Sequence, residues 1–215
     1  MPEELEVAPH SLRRNLLVFP LARLISWLIV GLCGRPKVIG AYRVPRKGPI
    51  LVLANHRADV DPMAVQLACA RNLHFMAKSE LFDIKVLGTL MRWGGTFPVK
   101  RGEPDRGALR HAAELLKIGE AVCVFPEGQL TETGLVQPPK AGIALIIRMA
   151  QCPVICLGIQ NTDKIMPYGA LIPRPTLHRV IATWGEPRTF PKETPAEEIL
   201  GWIEGQLREL TDEPS

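Results

Sequence analysis

Short apolar runs closed by polar turns alternate with amphipathic stretches along most of the chain. "PILVLANH", from Pro49, is apolar and partly β-branched, and it is bounded by Gly48-Pro49 and by a polar turn, which predicts a buried strand. "PMAVQLACAR" then carries an apolar face at helical spacing, and Asp61 before Pro62 fits an N-cap followed by proline in the first turn. "LHFMAKSEL" predicts a second short strand, "VLGTLMRWGG" a helix ended by Gly94 and Gly95, and "TFPVKR" a third strand or an extended loop. The clearest amphipathic helix is "DRGALRHAAELLKIGE", with Leu109, Ala112, Ala113 and Leu116 on one face and Gly119 near its end. "AVCVFPEG" repeats the grammar of a strand cut off by a polar turn. "KAGIALIIRMA" predicts a helix, "PVICLGI" and "HRVIATWGEP" predict strands, and "AEEILGWIEGQLREL" predicts a closing amphipathic helix.

Strands separated by helical segments argue for the α/β class, with a largely parallel mixed sheet flanked by helices on both faces. Nothing divides the pattern into two cores, so one domain is expected over residues 38–215, preceded by a membrane-associating segment over residues 1–37. That segment, "RRNLLVFPLARLISWLIVGLCGRPK", is an amphipathic to hydrophobic helical stretch with Arg13 and Arg14 before it and Arg35 and Lys37 after it. Pro20 and Arg23 interrupt it, and the clean part from Leu24 to Cys33 is about half of the roughly 20 residues a bilayer span needs. No A-x-A cleavage site follows it. A helix lying in the interface, with Trp27 at headgroup depth and arginines reaching phosphates, accounts for both the apolar content and the interruptions. A helix docked on the domain's own core is the alternative, and a full span with Arg23 snorkelling is the third.

Composition narrows the function classes. The 215 residues suffice for one core that buries roughly 70% of the unfolded surface. Basic residues exceed acidic ones by 26 to 22, without clustering or interleaved aromatics, which leaves no footprint for a nucleic-acid partner. The five cysteines cannot all pair internally, and "CPVIC" lacks the C-x-x-C spacing of a redox or metal site, so buried thiols in a reducing compartment are expected.

Ligands of open α/β sheets gather beyond the carboxyl ends of the strands. There the chain offers Asn55, His56, Asp59 and Asp61, then Lys100 and Arg101, then Glu127 and Gly128. A turn that returns Asp61 to His56 Nδ1 would fix the tautomer and leave Nε2 to take a proton from a substrate hydroxyl. Each residue also has a plainer reading: His56 as a turn histidine, Asp61 as a cap, Arg101 as a surface cation, Glu127 as a turn residue, and Asp59 as a solvated acid or the orienter in place of Asp61. G-x-S-x-G is absent and no cysteine flanks the turn, so a covalent intermediate is not indicated.

The ordered set of short stretches resembles the glycerophospholipid acyltransferase family, of the 1-acylglycerol-3-phosphate acyltransferase type. "NHRADVD" has the H-x4-D form, His56 to Asp61. "GTFPVKRG" is similar to a second block whose arginine falls on Arg101, "VFPEG" to a third with Glu127 and Gly128, "CPVICLGI" to a proline-bearing fourth, and "KAG" to a lysine and glycine that follow the third block, placing that lysine at Lys140. The resemblance implies transfer of a fatty acyl group from acyl-coenzyme A or acyl carrier protein to the hydroxyl of a lysophospholipid, without a cofactor or metal. His56 is then the base and Asp61 steadies its imidazolium. Arg101, Lys100 and Lys140 hold an acceptor phosphate, Glu127 accepts from an acceptor hydroxyl or organises the cations, and backbone N–H groups near Gly128 line the acceptor site. The bilayer is the implied partner, and the cytoplasmic face of a membrane, in peripheral or monotopic attachment, the implied location. One departure stands out: F-P-E-G-T-R-S is the usual third block, whereas "FPEGQLT" has Gln129 and Leu130 in place of threonine and arginine. Lysophosphatidic acid leads as acceptor on the remaining positive charge; lysophosphatidylethanolamine, and hydrolysis by the same pair, are the alternatives.

Overall fold

Every residue of the run Ile50–Ala54 is buried, as a strand can be only when both faces are covered and both edges are paired. The computed structural model describes residues 14–100, 105–170 and 172–213. Its strands are β1 (Lys37–Ile39), β2 (Ile50–Ala54), β3 (His74–Lys78), β4 (Phe97–Val99), β5 (Ala121–Val124), β6 (Val154–Gln160) and β7 (Ile181–Trp184), in the sheet order β1-β7-β6-β2-β5-β3-β4. β2 runs parallel to β5 on one side and β6 on the other, with Leu51 opposite both Val122 and Val154. β3 continues the parallel set to β5 and β4. β7 is antiparallel to β6 and parallel to β1, which makes the sheet mixed.

The helices are α1 (residues 14–34), α2 (Asp61–Ala68), α3 (Lys85–Trp93), α4 (Arg106–Lys117), α5 (Gly142–Ala150), α6 (Thr162–Ile165) and α7 (Ala196–Leu210). Alternation along β2 sorts them into two layers. Ile50, Val52 and Ala54 point to a core shared with Val30 of α1, Val65 of α2 and Trp184. Leu51 and Leu53 point to the opposite core, with Leu116 of α4, Ile146 of α5 and Ile203 of α7. The chain moves outward from β2 through β3 to β4, returns to insert β5, and crosses to β6 on the other side of β2. That reversal places a crevice beyond the carboxyl ends of β2, β5 and β6.

α1 is one continuous helix with π turns over Arg14–Val18 and Trp27–Gly31. One side is docked: Phe19 and Val30 are buried, and Arg23 Nη2 donates to the Cys69 carbonyl, at the end of α2, at 2.6 Å. Arg23 is therefore turned to the domain, which corrects the expectation that it reaches lipid phosphates or snorkels. Arg35 likewise donates to the Leu177 carbonyl at 2.7 Å. Arg13 lies outside the described residues. The other side exposes Leu17, Leu21, Leu24, Leu28 and Leu32, with Trp27 52% exposed. The docked reading thus holds for one side of the helix, and the other side is an exposed apolar face. Leu16–Gly34 is also long and apolar enough, at a mean hydropathy of 2.2, to cross a membrane. α3 exposes a second apolar row of Val86, Leu87, Leu90 and Trp93.

Candidate active site

β2 stops at Ala54, yet Asn55 extends its pairing: the side-chain Nδ2 donates to the Ile159 carbonyl at 2.9 Å and Oδ1 accepts from Ile159 N–H at 2.6 Å. This amide takes the place of one ladder rung and fixes the exit from the strand. His56 follows, with Nδ1 2.9 Å from Asp61 Oδ2 and its ring stacked on Phe125 at 4.0 Å between centroids. Asp61 is fully buried, and the same Oδ2 accepts from the backbone N–H of Arg57 at 2.6 Å and of Ala58 at 2.8 Å. An ionised carboxylate only accepts, so this partner assigns the shared proton to Nδ1 and leaves Nε2 with its lone pair. The cap reading of Asp61 is corrected here. Its carboxylate folds back onto the preceding turn, and Val60, the N-cap of α2, makes no side-chain cap bond. As a first-turn acid, Asp61 still sits at the positive end of the helix.

The turn after β5 brings Glu127 against the same segment. Its Oε1 accepts from His56 N–H at 2.9 Å and its Oε2 from Gln137 N–H at 3.2 Å, so both oxygens are engaged by backbone. Burial raises this carboxyl to about 7, against the lowering pull of those two hydrogen bonds and the nearby imidazole. Gly128 has φ of +74°, and a Cβ there would lie 3.4 Å from Lys140 Cγ, so the lysine stem runs along the bare glycine. Lys140 N–H donates to the Pro126 carbonyl at 2.9 Å, tying this pair to the turn. Glu127, Gly128 and Lys140 are therefore neighbours.

The remaining residues of the sequence reading are placed less centrally. Lys100 leaves β4, the edge strand, and its backbone N–H donates to Asp105 Oδ2 at 3.0 Å. β4 is parallel to β2 but separated from it by β5 and β3, roughly 14 Å between strand axes at the usual spacing. Arg101 lies outside the described residues. Asp59 is exposed, and the imidazole is held by Asp61.

Two adjoining clefts of about 420 Å³ each open beside this segment. Gln129, Leu130 and Tyr168 line the first; Arg57, Lys164, Arg174 and Tyr168 line the second. Thr131 borders both, and its N–H donates to the His56 carbonyl at 3.0 Å. Arg57, Lys164 and Arg174 were not singled out by sequence reasoning. Arg57 could have been, since it adjoins His56; Lys164 comes from the four-residue helix α6 and Arg174 from a loop, neither of which carries a pattern.

An open α/β sheet with an aspartate-held imidazole at its switch point is an arrangement whose free Nε2 can accept a proton. The chain belongs to the Acyltransferase family, whose model matches residues 35–160. A 1-acyl-sn-glycerol-3-phosphate acyltransferase of Bacillus subtilis is 31% identical over 138 residues, which cover 64% of this chain and 68% of that one. A chloroplast protein of the same description from Brassica napus is 32% identical over 124 residues, covering 57% of this chain and 36% of that one. The matched part thus spans about a third of the plant relative. The crystal structure of the 1-acyl-sn-glycerophosphate acyltransferase of Thermotoga maritima superposes with a TM-score of 0.78 over 93% of this chain and 80% of that one. At 24% identity, that likeness establishes the fold.

Proposed function

We propose that the protein transfers a fatty acyl group from an acyl thioester, acyl-coenzyme A or acyl carrier protein, to the free hydroxyl of 1-acylglycerol-3-phosphate, giving phosphatidic acid. The observation that carries this reading is the His56–Asp61 pair, 2.9 Å apart, at the carboxyl end of the central strand. Nε2 removes the hydroxyl proton as the oxygen attacks the thioester carbonyl, and Asp61 stabilises the imidazolium that results. Collapse of the tetrahedral adduct breaks the carbon–sulfur bond, and the imidazolium returns its proton to the departing thiolate. Glu127 orders the backbone that carries the base. Lys140, Lys100 and Arg101 supply charge for the acceptor phosphate, with Arg57, Lys164 and Arg174 lining the cleft beside Leu130. Residues 38–215 form the catalytic unit, and the exposed side of α1 within residues 1–37 seats it at the cytoplasmic face of a membrane.

His56→Ala should lower turnover by about a hundredfold to ten-thousandfold while leaving the fold intact, as measured with a radiolabelled donor. Turnover near that of the wild type would refute the assignment of the base. Free fatty acid as the main product in the presence of abundant acceptor would replace transfer by hydrolysis. Leu130, standing where the family's third block has arginine, favours lysophosphatidylethanolamine as a second acceptor. A panel of lysolipid headgroups decides between the two.

A further inference from the structure

We propose that Glu213, beyond the end of α7, is a positioning residue for the catalytic pair and acts through Arg57. The inference rests on the reading of His56 as the base. Glu213 Oε1 accepts from Arg57 Nη2 at 2.6 Å, and its Oε2 accepts from the backbone N–H of Val136 at 2.8 Å. Both side chains are largely shielded, 15% and 9% exposed, so this contact is screened far less than a surface ion pair.

The contacts close a ring around the site. Arg57 gives its guanidinium to Glu213 and its backbone N–H to Asp61 Oδ2, the atom that holds His56 Nδ1. His56 N–H is held by Glu127 Oε1, whose other oxygen holds Gln137 N–H. Gln137 follows Val136, which returns to Glu213. Two carboxylates thus clamp adjacent residues of one loop, 136 and 137, to adjacent residues of one turn, 56 and 57. Glu127 sits in the recognised "VFPEG" stretch. Glu213 lies 156 residues from Arg57 and 53 beyond the end of the family match at residue 160. With Glu213 removed, Arg57 loses its anchor, and the N–H that orients Asp61 is carried on a looser turn. Glu213 lines neither of the two clefts, so its loss should fall on the chemical step rather than on acceptor binding.

The test uses the full chain and the steady-state kinetics of Glu213→Ala, Glu213→Gln, Arg57→Met and the Arg57→Met/Glu213→Ala double variant. Glu204→Gln serves as control, because the Glu204–Arg208 side-chain pair belongs to the same helix and reaches Glu213 only through the Arg208 carbonyl, which accepts from Glu213 N–H at 3.0 Å. Glu213→Ala should lower kcat about tenfold to a hundredfold, with the acceptor KM within about threefold of wild type, and Glu213→Gln should lose less. The double variant should be no worse than the poorer single variant, while Glu204→Gln keeps wild-type kcat. Independent, multiplying losses in the double variant would overturn action through Arg57. A lower acceptor KM in Glu213→Ala would overturn the proposal in favour of a carboxylate that occupies an anion site. If Glu213→Ala does not fold, Glu213→Gln carries the test, and wild-type kcat in it overturns the proposal. His56→Ala assayed in parallel separates the two readings: its retained activity removes the base assignment, whereas its inactivity beside a wild-type Glu213→Ala removes this inference alone.

Discussion

Asp61 holds His56, Arg57 and Ala58 through a single oxygen, and the sequence around it supports two roles equally well. Residues Asp-Pro at a helix start are a good cap signal, and H-x4-D is a good dyad signal; only the direction of the carboxylate separates them, and that direction is set by backbone N–H groups with no sequence signature. Glu127 was legible as a turn carboxylate, but its two backbone partners were not, because Gln137 reaches it through a loop without periodicity. Its burial has a measurable consequence. A carboxyl near 4.5 in the unfolded chain and about 7 in the fold holds a proton that the unfolded chain has already lost across that interval. The stability it contributes is present below about pH 4.5 and is lost as pH rises through 7. Urea unfolding of the wild type should therefore weaken between pH 5.5 and 8 by an amount on the order of a few kcal/mol relative to Glu127→Gln, which lacks this titration. Parallel pH profiles for the two proteins would contradict it.

At the level of elements, α1 shows why an apolar segment resists a single reading. The sequence displayed the hydrophobicity and its interruptions, but docking and lipid contact both draw on leucines, and only packing assigns each residue to a side. Arg23, which looked like a residue for headgroups, satisfies a carbonyl at the end of α2 instead. Deleting the helix would uncover the core around Val30, so point substitutions better separate its docking from the proposed lipid contact. Val30→Ala should cost about 2 kcal/mol in urea unfolding and leave co-sedimentation with anionic vesicles unchanged. Leu21→Ser/Leu24→Ser/Leu28→Ser should do the reverse, releasing the protein from vesicles with unfolding free energy altered by about 0.5 kcal/mol or less per site. β1 went unread because its three exposed residues carry no run, and it exists by pairing with β7. Two strands in from that edge, Gly158 of β6 permits the end of α7 to close in: a Cβ there would come within 2.5 Å of Leu210 Cβ. That approach sets down the tail bearing Glu213.

For the molecule as a whole, the α/β class, the mixed sheet and most strands were legible, since short apolar runs between amphipathic helices leave few other arrangements. The strand order was not, because runs buried on both faces carry no alternation to report their neighbours. The same enclosure that hid its register should make β2 the stretch whose amide protons trade most slowly with deuterated solvent, through global opening alone. Residues 211–213, past α7, belong to no strand or helix and should open at lower cost than β2. Mild denaturant should therefore silence acyl transfer while deuterium uptake along β2 is still at its native rate; simultaneous loss of both would show that the tail opens only with the whole. The imidazole stands on the last piece of the protein to let go, and its alignment depends on one of the first.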